Sequence, residues 1–382
     1  MNLTENQAIA LVREGADLLQ RGQPAEARAR FERVTATGRA NTQIWMLLAL
    51  ACRALDDGAG EETAIDAALA LDPGLIRGQV MKGDCRVRAG DEQGALEFYQ
   101  AALRWAEGME LPADLAAEIE RARAVVAGAA ARGEAAREAA LAARGFPPGK
   151  RSARFAQALD IMAGRKEVFV QQPTDLYFPG LAQTQFFDTG QFDWVPALEA
   201  EAGAIRAELD ALLASSAAEF RPYIHGDPNR ATRQGHWLAD DPDWSALFLV
   251  ENGVRSEAAI AACPRTWAAM QGVPFPDIAN SPTVMFSLLR AGARILPHTG
   301  MFNTRLVCHL PLVVPPACRF RVGNEVREWE PGKLLVFDDS IEHEAWNDSD
   351  SDRIVLIFDI WRPDLTAQER AELAALFAGK LG

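Results

Sequence analysis

The sequence predicts a multidomain protein, α and then α+β: an N-terminal α-helical solenoid followed by a β-rich domain with a helical cover. Three observations carry this. Small residues recur at Gly15, Ala49 and Gly83, 34 positions apart, within Ala-rich segments of helical apolar spacing. After Lys150 the character changes, and Trp and Pro become frequent. From Thr283 onward, short β-branched runs alternate with Gly and Pro turns, the spacing of a sandwich or barrel.

At 382 residues and 49% hydrophobic content, the chain is long enough for two or three domains with cores of their own. Its 39 Lys and Arg against 53 Asp and Glu leave a formal charge of −14, which argues against nucleic acid or an anionic membrane as a partner held by bulk charge. No run approaches the roughly 18 apolar residues of a membrane span. Residues 1–20 carry Asn2, Glu5, Arg13 and Asp17 where a signal peptide needs an apolar core. A cytoplasmic location is therefore expected. The five cysteines, Cys52, Cys85, Cys263, Cys308 and Cys318, lack CxxC spacing and are expected to be reduced, mostly buried thiols.

The repeats, residues 1–110, have the period of tetratricopeptide arrays. Each unit places a small residue at a close helix crossing, a turn seven residues on (Gly22, Asp56, Gly90), and a second helix with an Ala and a bulkier apolar residue four positions later. Ala27 pairs in this way with Phe31, and Ala95 with Tyr99. In the middle unit Ala64 with Ala68 fits three residues late, which predicts a longer turn at Gly58-Ala59-Gly60. Leu71-Asp72-Pro73 ends that helix, because Pro disfavours continuation. Three such units enclose a continuous core and leave a concave groove, either a protein-binding surface or a spacer that steadies its neighbour. Residues 111–149 read as a capping helix, from Leu115 to about Arg144, and a linker closed by Gly145-Phe146-Pro147-Pro148-Gly149.

Residues 150–382 form the β-rich domain. An amphipathic helix is expected over 195–213, and strands over 283–289, 305–314, 318–322, 333–337 and 353–361, parted by turns such as Ala291-Gly292 and Glu330-Pro331-Gly332. Both faces of the last strand are largely apolar, which places it inside a sheet. Arg353 on such a strand needs a partner, since an unpaired buried charge is costly.

Only five histidines occur in the chain, and His298, His309 and His343 fall within 46 positions of this β-rich stretch. Two imidazoles with open positions beside them suit ferrous iron. A facial triad would read His-x-Asp or His-x-Glu, but the sequence is His298-Thr299-Gly300. Arg353, ten residues beyond His343, is suited to bidentate capture of a carboxylate, such as the distal carboxylate of a 2-oxo acid.

His298-Thr299-Gly300, Asn303, Arg305-Leu306, His309-Leu310, Trp329, Gly332, Phe337-Asp338-Asp339-Ser340, His343-Glu344, Trp346-Asn347, Arg353 and Asp359-Ile360-Trp361-Arg362-Pro363 closely resemble the aspartyl/asparaginyl β-hydroxylase family. Tyr177-Phe178-Pro179-Gly180-Leu181 and Leu198-Glu199 extend the resemblance, which covers roughly 171–363. It implies a double-stranded β-helix (jelly-roll, cupin-like) and a dioxygenase dependent on Fe(II), 2-oxoglutarate and O2. It also implies iron held by His298 and His343 without a carboxylate, so that Gly300 is the expected residue. Arg353 matches the position that binds the distal carboxylate of 2-oxoglutarate, and Ser287 and His309 match positions that help hold it. Two residues before His309, where members often carry a second arginine, the chain has Val307, so cosubstrate contacts are expected to be either fewer or supplied by Arg305, Arg290 or Arg294. The implied reaction couples decarboxylation of 2-oxoglutarate, to succinate and CO2, with hydroxylation of a C–H bond. By resemblance the substrate is a peptide or protein Asp or Asn, with the repeats as a protein-interaction module.

Asp338 and Asp339 read as structural or orienting groups, with Asp339 or Glu344 holding a ligand imidazole. Cys308 and His309, adjacent on a strand, face opposite ways, which argues against a nucleophilic dyad. Trp346 and Trp361 read as core. His225 and His236 lie in loop-like segments and read as exposed or packed, while Arg230 or Arg233 is a candidate for binding a substrate carboxylate. Two rival functions stay open: a catalytically silent repeat scaffold, and a cupin-type metalloenzyme that does not use 2-oxoglutarate and would not need Arg353.

Overall fold

The computed structural model describes residues 3–215, 219–223, 240–276, 278 and 281–378. Two compact units divide the chain, 1–156 and 157–382.

In the first unit, three helix pairs follow one another: α1 (Glu5–Gln20) with α2 (Pro24–Thr35), α3 (Thr42–Ala54) with α4 (Gly58–Leu71), and α5 (Ile76–Arg88) with α6 (Glu92–Ala106). The long α7 (Ala113–Ala143) comes next. Side-chain caps set the starts. Thr4 forms a capping box with Gln7, and Asn41, Asp57 and Asp91 accept from the N–H groups of Ile44, Gly60 and Gly94. The small residues at the crossings are there for closeness: a Cβ on Gly15 would lie 2.6 Å from Phe31 Cε1, and one on Gly83 2.5 Å from Tyr99 Cε1.

The middle repeat corrects the expectation of a longer turn. Helices α2, α4 and α6 begin at 24, 58 and 92, an unbroken step of 34, so Gly58-Ala59-Gly60 is the first turn of α4. The residues in register with Ala27 and Phe31 are Glu61 and Ile65, both buried. Glu61 takes the small-residue position because two arginines neutralise it there, Arg53 Nε at 2.6 Å and Arg88 Nη2 at 2.5 Å. A glutamate at a core position breaks the apolar pattern, which is why Ala64 and Ala68 looked like the better match.

Helix α8 (Ala153–Met162) crosses the division between the units. The second unit holds two sheets among its described residues. The larger contains β1 (Phe186–Phe187), β2 (Arg221–Pro222), β3 (Trp244–Glu251), β4 (Val254–Arg255), β5 (Val284–Leu289), β7 (Arg305–Val313), β10 (Leu335–Phe337) and β12 (Arg353–Trp361). Its order is β1-β10-β7-β12-β5-β3-β2, with β4 beside β3. The smaller has the order β6 (Arg294–His298), β11 (His343–Asn347), β8 (Cys318–Val322) and β9 (Glu325–Glu328). As expected for a strand apolar on both faces, β12 is internal, antiparallel to β5 and β7.

The two faces of β12 serve different layers. Ile354, Leu356, Phe358 and Ile360 join Cys308, Leu310 and Phe286 in a core covered by α9 (Val195–Ala200), α10 (Ala202–Ala214), α11 (Glu257–Ala262) and α12 (Pro264–Met270). The amphipathic stretch over 195–213 is thus two helices, meeting at Glu201. On the other face, Trp244, Leu289, Phe186 and Phe337 of the large sheet pack against Ile295, Phe320, Val322 and Ala345 of the small one. Helix α13 (Ala367–Ala378) closes a separate apolar cluster with Trp361 and Phe302.

Gly83→Ala drives its Cβ into Tyr99, and overpacking of this kind costs about 1–3 kcal/mol. The midpoint of urea unfolding, followed by helical circular dichroism, is expected to fall accordingly.

Candidate active site

The pairing of β6 with β11 sets His298 directly opposite His343, with ring centroids 4.2 Å apart. Each ring donates through Nδ1 to the carbonyl two residues earlier: His298 to Leu296 O at 2.8 Å, His343 to Ile341 O at 3.0 Å. Because a carbonyl only accepts, both rings carry their proton on Nδ1 and leave the Nε2 lone pair for a ligand. Carboxylates were expected in this orienting role, but backbone carbonyls fill it, and Glu344 is bound instead to Arg321. Burial lowers the pKa of His298, and burial, reinforced by the repulsion that protonating both adjacent rings would bring, holds His343 well below the usual range. Both rings are therefore neutral, the form that ligates metal. Among the described residues no group of three or more His, Cys, Asp and Glu gathers for a metal, so the donor set on offer is two imidazoles.

Gly300 leaves room for something else. A Cβ there would fall 2.0 Å from Oδ2 of Asp339, whose own carbonyl accepts from Gly300 N at 2.7 Å. The space a His-x-Asp ligand would use is thus filled from the β10–β11 connection. Asp339 is buried, its Oδ1 lacks a protein partner among the described residues, and burial raises its pKa to about 7 against the pull of Arg305.

Arg353 heads β12 and is 1% exposed, yet its Nε and Nη2 find no partner among the described residues. Its guanidinium lies 4.9 Å from the Trp329 ring, and burial lowers its pKa to about 10, which still leaves it charged at neutral pH. An unpaired buried guanidinium is costly, and a carboxylate is the group that relieves it. Ser287 and Val355 pair across β5 and β12, and Ser287 Oγ accepts from Trp244 Nε1 at 3.1 Å, leaving its own proton to donate. His309 packs between Phe320 and Phe337, with centroids at 5.0 and 4.8 Å, and its Nδ1 is also unpartnered. Burial and then the Arg353 charge keep it neutral. Cys308 points into the opposite core. These residues fit a small carboxylate between the sheets, in the layer that carries the two histidines.

Arg305 does not join them. It stands opposite Trp361 at the far end of the β7–β12 ladder and is paired with Asp359 at 3.2 Å. At about 3.3 Å per residue, Arg353 and Trp361 lie roughly 26 Å apart along β12. Arg290 and Arg294 are bound to Asp352 and Asp348 at the surface, each at 2.8 Å. None of these three arginines lies beside Val307 in the structure. His225, His236, Arg230 and Arg233 lie outside the described residues.

Two features were missed in the sequence. Arg362 and Asp338 form a fully buried ion pair at 2.5 Å, and Trp329 and Trp244 lie in the layer between the sheets, Trp329 against Arg353 and Trp244 bonded to Ser287. An arginine closing an apolar strand, as in Asp359-Ile360-Trp361-Arg362, was the available signal for the first.

The β-rich unit thus brings together two paired, neutral imidazoles and a buried guanidinium with unused donors. Residues 199–363 match the family described as Aspartyl/Asparaginyl beta-hydroxylase. The human aspartyl/asparaginyl beta-hydroxylase is 36% identical over 190 residues, covering 50% of this chain and 24% of that protein. The ornithine lipid ester-linked acyl 2-hydroxylase of Rhizobium tropici is 37% identical over 192 residues, covering 50% and 64%. Human aspartate beta-hydroxylase domain-containing protein 2 is 31% identical over 218 residues, covering 55% and 56%. The chain thus spans less than two thirds of each of these relatives. Among solved structures, PcrH from Pseudomonas aeruginosa aligns at 18% identity and a TM-score of 0.30, covering 33% of this chain and 94% of that one.

Arg362→Met leaves Asp338 buried without its counter-charge, and the unfolding free energy measured in urea is expected to drop by about 3–5 kcal/mol. Asp339 makes a pH-dependent contribution of opposite sign to most carboxylates. Between the usual 3.8 and about 7, the unfolded chain releases a proton that the folded one keeps, so stability falls as pH rises, by up to about 1.4 kcal/mol per pH unit. In metal-free protein, Asp339→Asn is expected to gain stability relative to wild type between pH 5 and pH 8. An equal gap at both pH values would refute the assignment.

Proposed function

We propose that the second unit is an Fe(II)- and 2-oxoglutarate-dependent hydroxylase, its two facing sheets forming a double-stranded β-helix, and that it acts on an Asp or Asn side chain of a peptide or protein. The observation that carries this reading is Arg353, a buried cation with unused N–H donors in the layer that holds two neutral imidazoles. His298 and His343 would hold iron through Nε2. Arg353 would take the distal carboxylate of 2-oxoglutarate, with Ser287 and His309 beside it. Together the bound iron and cosubstrate supply activation of O2, one oxygen atom ending in succinate and the other in the hydroxylated product.

The chain's own part is positioning and exclusion. Phe320 and Phe337 pack against His343 and Trp244 against His298, and His343 is shielded from bulk water. Asp339, with its spare Oδ1 beside Gly300, is placed to hold a water next to the two histidines. The repeats serve as a protein-interaction module in this reading. All five cysteines are free and buried, which supports a reducing compartment such as the cytoplasm. The Rhizobium tropici relative favours a second reading for the substrate, the C–H bond of a lipid acyl chain.

Anaerobic addition of Fe(II) and then 2-oxoglutarate is expected to produce a visible charge-transfer band that needs both. His343→Ala should abolish Fe(II) binding, while Arg353→Ala should keep it and weaken 2-oxoglutarate at least about thirtyfold. A folded protein that binds Fe(II) without the band defeats the reading. Mass spectrometry for a gained oxygen atom, on Asp- and Asn-containing peptides and on an acylated ornithine lipid, separates the two substrate classes.

A further inference from the structure

We propose that Trp329 is a further binding residue for the cosubstrate, its indole N–H donating to the same carboxylate that Arg353 holds. This rests on the function proposed above. Trp329 is 4% exposed, and its Nε1 is buried with no hydrogen-bond partner among the described residues. Buried tryptophan N–H groups ordinarily find an acceptor. Trp244, in the same inter-sheet layer, does so at Ser287 Oγ, 3.1 Å away. Among the described residues Trp329 has been left without one.

Its neighbours are in the same condition. The guanidinium of Arg353 lies 4.9 Å from the Trp329 ring with Nε and Nη2 unused, and the His309 ring is stacked at 6.1 Å with Nδ1 unused. Unsatisfied nitrogens on Trp329 and on the two side chains beside it mark one site for an acceptor-rich ligand. A carboxylate offers acceptors only and brings the single negative charge that Arg353 lacks. Phe320 stacks on Trp329 at 5.3 Å and 19°, so the indole is fixed before the ligand arrives and loses little freedom on binding. Val307, on the same face of its strand as His309, brings no charge to this layer, and a neutral, rigid donor such as the indole adds none either.

The competing role for Trp329 is to steady Arg353 through the ring face alone, which requires no N–H. Trp329→Phe separates the two, since it keeps an aromatic face and removes the donor. Binding of 2-oxoglutarate to anaerobic Fe(II)-loaded protein is measured by calorimetry. The expected result is about tenfold weaker binding in Trp329→Phe, unchanged Fe(II) affinity, and a non-additive loss when combined with Arg353→Ala. Wild-type-like affinity in Trp329→Phe overturns the proposal while leaving the function intact. Failure of the wild type itself to bind 2-oxoglutarate overturns both. If the variant does not fold, the indole N–H resonance of Trp329 in wild-type protein loaded with Zn(II) decides: a downfield move on adding 2-oxoglutarate supports the donor role, and a stationary resonance overturns it.

Discussion

The ion pair between Arg362 and Asp338 has no exposed atoms on either side chain, and the second unit is organised around it. Arg362 follows the internal strand β12, whereas Asp338 begins the connection that leads through Asp339 to His343. Gln171 Nε2 donates to Asp338 at 2.6 Å, Arg362 Nη2 donates to the carbonyl of Ala182, and Arg362 Nη1 reaches the carbonyl of Asn303 at 3.5 Å. Three separate stretches of chain are tied to the end of one strand. Both metal-ligand candidates depend on this knot, since Asn303 lies five residues past His298 and Asp338 five before His343. Buried ion pairs contribute little net stability, because desolvation consumes most of the Coulomb gain. Their effect is to make wrong arrangements costly, which is what a site built from distant segments requires.

Where charge is left unsatisfied is equally informative. The pair at Arg362 is complete, while Arg353, nine residues earlier on the same strand, keeps free donors. A buried polar group without a protein partner calls for another acceptor, and a bound carboxylate is one that also brings the opposite charge. In the layer between the sheets His309 and His343 are uncharged and the Asp339 carboxyl titrates at about 7, so Arg353 is the firm positive charge beside them.

Much of this was legible in the sequence, and the exceptions have physical causes. The doubly apolar pattern of 353–361 identified an internal strand, and the clustered histidines identified the site. Strands β6 and β11, which carry those histidines, escaped notice because they are short and polar, Arg-Ile-Leu-Pro-His and His-Glu-Ala-Trp-Asn, with only one face in the core. Strand β3 was missed as well, since Trp244–Glu251 reads as one apolar run with no alternation to separate strand from helix. The orienting carbonyls of Leu296 and Ile341 belong to the backbone and leave no mark on residue identity. Arg305 was favoured on proximity in sequence, but the two-residue period of a strand says which face a side chain takes and not which end of the ladder it occupies.

Glu61 has a consequence for how the first unit assembles. A solenoid of equal repeats has degenerate registers, because any helix pair can dock where another belongs, within one chain or between two. Ala27 and Ala95 would allow that exchange. Glu61 does not, since it is satisfied only between Arg53 of its own repeat and Arg88 of the next. Moved by one repeat, it would be buried facing residues that offer no such pair of cations. One acidic side chain therefore acts as an address label, giving the three units a fixed order that their shared period alone would leave undetermined.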